Sequence, residues 1–179
     1  MKKIFLLSLA VLLSTTFVLA QSYSASDEAS TVQFKIKNFG FNVDGSFKGV
    51  KGTIEFDPAN YSAAKFDVSI DANSVNTDND MRDNHLREDS YFDVKNHPRI
   101  SFVSTKVTAS NKPGILFIFG SLEIKGIKKE ISFPFTAAAI DGGFVFKGEF
   151  KINRKDFQVG GTSTLSDNVN IILSITAKK

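Results

Sequence analysis

The segment richest in groups that could do chemistry is TDNDMRDNHLREDSYFD, residues 77–93. It holds eight ionised side chains and one of the two histidines of the protein. General acid–base catalysis by two carboxylates is one interpretation, because Asp83, Glu88 and Asp89 offer several pairs. Nothing in their spacing favours one pair over another, so the segment by itself does not indicate an enzyme.

Metal-binding and nucleotide-binding patterns are missing from the sequence. His85 and His97 are twelve residues apart and the chain has no cysteine, which is not a zinc-ligand spacing. A calcium loop starting at Asn76 would need glycine and glutamate where Met81 and Arg87 stand. The chain also lacks the G-x-S-x-G, P-loop and G-x-G-x-x-G motifs. We therefore predict no metal site and no cofactor.

The elements around the segment predict a β protein with one helical insert. Thr77 followed by Asp80 resembles a capping box, which predicts a short helix near residues 77–92 that begins at Thr77. Eight other stretches alternate apolar and polar residues as half-buried strands do. They are 32–36, Ile54–Phe56, Phe66–Ile70, Ile100–Val107, Ile115–Ile124, Ile131–Phe135, Phe144–Ile152 and Val169–Ile175.

Turn signals separate these stretches and include Asp44-Gly45, Asp57-Pro58 and Lys125-Gly126. Short connections favour antiparallel neighbours, and closure of the sheet would remove its exposed edges. We predict one all-β domain over residues 21–179. The pattern leaves open whether the strands form a barrel or a sandwich.

Residues 1–20 have two lysines, an apolar run and a small residue at the end, which predicts a secretory signal peptide cleaved after Ala20. Without Lys2 and Lys3, 20 basic residues face 19 acidic ones, a net charge of +1 with no basic run. Nucleic acid is therefore not an expected partner. No later run reaches the roughly 18 apolar residues of a membrane span. We expect a periplasmic protein, with secretion as the alternative.

The chain is unusually rich in phenylalanine: 16 of its 18 phenylalanines follow residue 20, and there is no tryptophan. Most of the 16 fall on alternating strand positions. One interpretation is a packed core between two sheets. The other is the lining of an apolar tunnel, because an eight-stranded barrel can hold one ligand.

The motifs resemble, in order and over nearly the whole chain after residue 20, the YceI-like family of bacterial envelope proteins. The middle block, NSVNTDNDMRDNHLREDSYFDVKNHPRISFVSTKV, is the most specific part, and STVQFKIKNFGF, VDGSFKGVKGTIEFDP, FGSLEIKGIKKEISFPF, INRKDF and LSDNVNIILSITA accompany it. Asn38 stands where the family is expected to have histidine, and Gln158 where glycine is usual.

The resemblance implies an eight-stranded antiparallel, lipocalin-like β-barrel that binds a polyisoprenoid or similar long-chain amphipathic lipid in its lumen, for storage or transport and without catalysis. With the strand alternation, it predicts an apolar lumen lined by Val32, Phe34, Ile36, Phe56, Phe66, Val68, Phe102, Phe117, Phe119, Phe133, Phe135, Phe144, Phe146, Phe150, Ile171 and Leu173. It predicts contacts to a polar head group from Asn38, Arg82, Asp83, His85 and Arg154.

Within the charged segment, Leu86, Tyr91 and Phe92 are expected to turn toward the barrel. Asp83 is expected to orient Arg82 and His85 as hydrogen-bond donors to the head group. Two alternatives stay open: an envelope enzyme that modifies a lipid or sugar, and a ligand-free β-sandwich that serves as an interaction module. The oligomeric state is also open, a homodimer included.

Overall fold

Nine strands, each antiparallel to its neighbours, form one sheet in the computed structural model, which describes residues 21–162 and 164–179. The strands are β1 (Ser22–Asn38), β2 (Phe41–Phe47), β3 (Lys51–Glu55), β4 (Lys65–Asp71), β5 (Arg99–Ala109), β6 (Leu116–Ile124), β7 (Ile127–Ile140), β8 (Gly143–Asn153) and β9 (Asn168–Lys178). The predicted signal peptide, residues 1–20, lies outside the described residues. In the part of the chain that is described, no helix has the length and apolar composition to cross a membrane.

The sheet closes on itself because β1 pairs with β9. Strands β2 and β3 follow one another along β1, β2 opposite residues 32–38 and β3 opposite residues 22–24. They therefore occupy one position, interrupted at residues 48–50, and the barrel has eight strands. The predicted antiparallel barrel is confirmed, and the sandwich alternative is wrong.

The first turn of the barrel differs from the one predicted. Asp44-Gly45 lies inside β2, and the chain reverses at Phe39-Gly40, where both residues have positive φ (48° and 85°) as a two-residue hairpin turn requires. Gly45 is needed for another reason: a Cβ atom there would lie 2.2 Å from Cζ of Phe34. Gly45 therefore makes room for the ring of Phe34, a role that the turn prediction did not consider.

The helical insert is present, but it begins at Asp80 and not at Thr77 as predicted. Helix α1 spans Asp80–Arg87, and Asn79 is its N-cap, with Oδ1 accepting a hydrogen bond from the backbone N–H of Arg82 (2.9 Å). Thr77 does not cap the helix, because its hydroxyl donates to Oδ1 of Asp83 (2.5 Å) instead. Short 3₁₀ turns at Tyr61–Ala63, Ala72–Ser74 and Arg154–Phe157 complete the fold.

In β6, the side chains that face the lumen are on the other face of the strand from the one predicted. Ile118, Leu122 and Ile124 are buried inside the barrel, whereas Phe117 lies on the outer face and Phe119 is 37% exposed there. The stretch from residue 115 to residue 119 is apolar at every position, so alternation could not indicate which residues point inward. The predicted lumen positions of Phe117 and Phe119 are therefore wrong.

Candidate functional site

One half of the barrel interior is filled by a packed aromatic cluster. Five phenylalanines that were predicted to line the lumen meet there in edge-to-face and tilted pairs, with ring centroids 5.1–6.4 Å apart. They are Phe56, Phe66, Phe135, Phe144 and Phe146. We call this set the closed-end cluster. None of its members lines the apolar cavity described next, so their predicted role in ligand contact there is replaced by one in the core.

The other half of the interior is an apolar cavity of about 480 Å³. Eight of the predicted lumen residues line it, namely Val32, Phe34, Ile36, Val68, Phe102, Phe150, Ile171 and Leu173. All of them point inward from strands of the closed barrel. The volume lies within the range of about 300–1,000 Å³ that small-molecule sites occupy.

Apart from Met81 on the helix, thirteen further apolar lining residues were not predicted. They are Val43, Phe47, Val50, Ile70, Ile100, Leu122, Ile124, Ile152, Phe157, Val159, Leu165, Val169 and Ile175. Several of them lie in predicted strands and could have been found by continuing the alternation. Val43 and Phe47 were missed because β2 was mistaken for a turn, and Leu122 and Ile124 because the face of β6 was ambiguous.

Helix α1 and the residues after it border the open end of the cavity, which we call the mouth. Leu86, Tyr91 and Phe92 point to the cavity as predicted, and the ring of Phe92 meets Phe47 edge-to-face at 5.4 Å. The His85 ring lies edge-to-face with Tyr91 at 4.9 Å and also lines the cavity.

A buried carboxylate positions Arg82 at the mouth through Thr77. Asp83 is buried and accepts hydrogen bonds from the backbone N–H (2.9 Å) and the hydroxyl of Thr77. Arg82 in turn donates from Nε to Oγ1 of Thr77 and from Nη2 to its carbonyl, both at 2.7 Å. Asp83 does not line the cavity, so its influence on a ligand is indirect.

The guanidinium of Arg154 is occupied by the protein. Arg154 is 4% exposed, its N–H groups donate to four backbone carbonyls at 2.7–3.1 Å, and Nη2 lies 3.5 Å from the Asp167 carboxylate. The carbonyls belong to Val159, Gly161, Leu165 and Ser166. Because the carbonyls use four of the five N–H donors of an arginine and Asp167 pairs with Nη2, Arg154 holds the loop at the mouth and is poorly placed to bind a head group.

Asn38 lies at the mouth, where its Oδ1 accepts a hydrogen bond from the Thr164 hydroxyl (2.6 Å). Beside it the rim is apolar. Phe39, Phe41 and Met81 are the three most exposed large apolar side chains among the described residues. Phe39 lies in the turn that follows Asn38, Phe41 comes directly after that turn, and Met81 lines the cavity from α1.

The side chains around the cavity suit binding of an apolar molecule. Among the described residues no aspartate or glutamate lines it, and its ionisable residues are Arg82, His85, Tyr91 and Arg154. No group of three or more potential metal-ligating side chains occurs in the described part of the chain. The arrangement can enclose an apolar chain and place polar donors near its outer end.

Comparison with known proteins gives consistent matches. The sequence model of the YceI-like domain family matches residues 23–177 of this chain. Protein YceI of Salmonella arizonae is 35% identical over 181 residues, covering 94% of this chain and 93% of that protein. The crystal structure of Burkholderia cenocepacia BcnA is similar, with TM-score 0.80, 26% identity and coverage of 86% of this chain and 99% of that one.

Two further solved structures share the fold. The YCEI protein of Campylobacter jejuni matches with TM-score 0.69 and 35% identity, covering 78% of this chain and 86% of that one. A polyisoprenoid binding domain from Saccharophagus degradans matches with TM-score 0.70 over 87% of this chain and 97% of that one. At 15% identity, this last likeness concerns the fold alone.

Proposed function

Because the chain belongs to the YceI-like family, we propose that it is a non-catalytic binding protein that stores or transports a polyisoprenoid or similar long-chain amphipathic lipid. The observation that carries the proposal is the apolar cavity enclosed by the barrel. Burial of ten carbons contributes about 8 kcal/mol gross at about 0.8 kcal/mol per methylene, which equals a micromolar affinity. The polyisoprenoid binding domain with the same fold is in keeping with this ligand class.

The polar end of the ligand would lie at the mouth, beside Arg82 and His85. Two nitrogens of the Arg82 guanidinium donate to Thr77, and Nη1 donates no hydrogen bond among the described residues. The guanidinium is therefore fixed in place with donors to spare. A head group that accepts hydrogen bonds, such as a phosphate, fits these donors.

The protein would act in the periplasm. The support is the leader sequence at residues 1–20, with its two lysines and apolar run. Cell fractionation of the native host decides between periplasm and culture medium. Recovery of the protein in the cytoplasm with residues 1–20 still attached would contradict export.

Protein expressed with its leader and purified without detergent is expected to carry a long apolar ligand, because an empty apolar cavity is less favourable than a filled one. Organic extraction of the denatured protein followed by mass spectrometry identifies the ligand. The proposal is wrong if repeated extractions contain no lipid and the melting temperature of the stripped protein does not rise on adding polyprenols.

The double variant Arg82→Ala with His85→Ala is expected to weaken binding of a polyprenyl phosphate and leave binding of the bare hydrocarbon nearly unchanged. Each lost charged hydrogen bond costs about 1–3 kcal/mol, a loss of about five-fold to 150-fold in affinity. Competition between the phosphate and the hydrocarbon on both proteins measures the difference. Lys95→Ala is the control, because it removes an exposed cation that lies two residues after the charged segment and does not line the cavity.

If the double variant melts like the native protein and keeps its preference for the phosphate, Arg82 and His85 do not contact the head group. The helix would then act only as a lid over the mouth. The carrier function itself would stand, since the hydrocarbon binds in either case.

A further inference from the structure

The inner end of the cavity is closed by a floor that faces the closed-end cluster. The floor consists of the residues that line the cavity and also belong to, or pack against, the larger buried cluster that contains the five phenylalanines of the closed-end cluster: Val32, Val50, Val68, Ile70, Phe102, Phe150, Leu173 and Ile175. Directly behind it lies Phe133, which is buried and does not line the cavity. Its ring stacks on Phe150, with centroids 4.0 Å apart and planes 12° apart, and meets Phe102 at 5.6 Å.

Glycines on the barrel wall make room for one ring of the floor and for the ring behind it. A Cβ atom at Gly120 would lie 2.6 Å from Cζ of Phe102. At Gly148 it would lie 3.3 Å from Cε2 of Phe133. The rings of Phe102 and Phe133 therefore lie against the backbone of Gly120 and Gly148, where any other residue would place a side chain. Since protein interiors are close-packed, a ligand could pass the floor only by moving these rings and the closed-end cluster together.

The floor limits the length of chain that the barrel can enclose. A methylene group takes about as much space as a water molecule in the liquid, about 30 Å³. The cavity of about 480 Å³ therefore holds about 16 carbons, or about three isoprene units, by the same measure. The remainder of a longer chain has to lie at the mouth, against Phe39, Phe41 and Met81.

We propose that Phe102, Phe133 and Phe150 form a gauge that sets the length of the enclosed apolar chain at about 16 carbons. The gauge determines specificity for the proposed lipid-binding function, and the inference rests on that function. The apolar end of the ligand enters first, because the floor offers it only carbon and the polar donors lie at the mouth. Carbons beyond the gauge stay outside the barrel and add little to affinity.

The test measures affinities of the lipid-stripped protein for linear primary alcohols and for prenols of increasing length, from about ten to about forty carbons. For the native protein, affinity is expected to rise about fourfold per carbon, from about 0.8 kcal/mol per methylene, and to level off near 16 carbons. Phe150→Ala opens a void on the order of 150 Å³. It should move the break point to longer chains by about five carbons.

Two further variants make the test sharp. Val68→Phe adds a ring at the floor and should move the break point to shorter chains by about four carbons, by the same volume measure. Phe119→Ala is the matched control for Phe150→Ala, because it removes the same side chain from the outer face of β6. It should leave the break point where the native protein has it.

The gauge is overturned if native affinity keeps rising beyond about thirty carbons, well past the volume limit. It is also overturned if the break point stays in place in folded Phe150→Ala and Val68→Phe. Should Phe150→Ala not fold, Val68→Phe decides alone, since it leaves no void. Failure of the proposed function looks different, because then no alcohol or prenol of any length binds.

Discussion

Phe34→Asp is expected to abolish lipid binding and to lower the free energy of unfolding by at least about 4 kcal/mol. Phe34 is 8% exposed, lines the cavity and packs against Phe47 with ring centroids 5.5 Å apart. Its ring also covers Gly45. The substitution therefore removes a large apolar contact and leaves a carboxylate without a partner in an apolar wall.

Lys37→Asp is the matched control, because it places the same side chain on the opposite, solvent-facing side of β1. Lys35 is less suitable, since its ammonium lies 3.9 Å from Asp44. Chemical denaturation and a lipid-binding titration of both variants measure the effects, and Lys37→Asp should change each by less than about 0.5 kcal/mol. Equal losses in the two variants would mean that the register of β1 is wrong.

Arg154→Met is expected to destabilise the protein by about 3–5 kcal/mol, the usual effect of removing one partner from a buried charged network. Four backbone carbonyls lose their donor together, the Asp167 carboxylate loses one of its two cationic partners, and the methionine chain supplies no donor. The loop at the mouth that follows the 3₁₀ turn should become accessible to protease. Thermal unfolding and limited proteolysis measure the two effects.

Lys155→Met is the control on the same turn. Its ammonium lies 2.9 Å from Asp167, but both side chains are about half exposed, so the pair contributes about 1 kcal/mol or less. A loss for Arg154→Met no larger than that of the control would show that the carbonyl contacts do not hold the loop. If Arg154→Met keeps the native stability but binds a lipid with a polar head group more weakly, Arg154 contacts the head group after all.

Features that depend on residues close in the sequence were predicted well. Alternation identified a segment of each of the eight barrel strands, and it correctly pointed Val32, Phe34 and Ile36 inward. A strand with one buried face repeats every two residues, so the pattern is visible in the strand itself. The ordered motifs likewise indicated the family, and the match over residues 23–177 confirms it.

The errors occur where a residue's role depends on contacts outside the short turn or cap pattern that it matches. Gly45 is explained by the ring of Phe34 on the neighbouring strand, and Thr77 by the carboxylate of Asp83. Gln158 adopts the left-handed conformation (φ 54°) that favours glycine, and its backbone N–H closes the 3₁₀ turn. Turn and cap patterns describe only local geometry, so none of these contacts could be read from them.

The sequence by itself determined that this is an all-β domain with an apolar interior, because a two-residue period and a large supply of phenylalanine predict one. The period left barrel and sandwich open, and the resemblance to the YceI-like family pointed to the barrel. Only the tertiary structure decided where the interior is solid and where it is hollow. Phe146 and Phe150 lie on the same face of β8, yet Phe146 meets other rings and Phe150 borders a cavity. Which of the two occurs depends on the side chains that the other strands bring across the barrel, and closure of the sheet sets that arrangement.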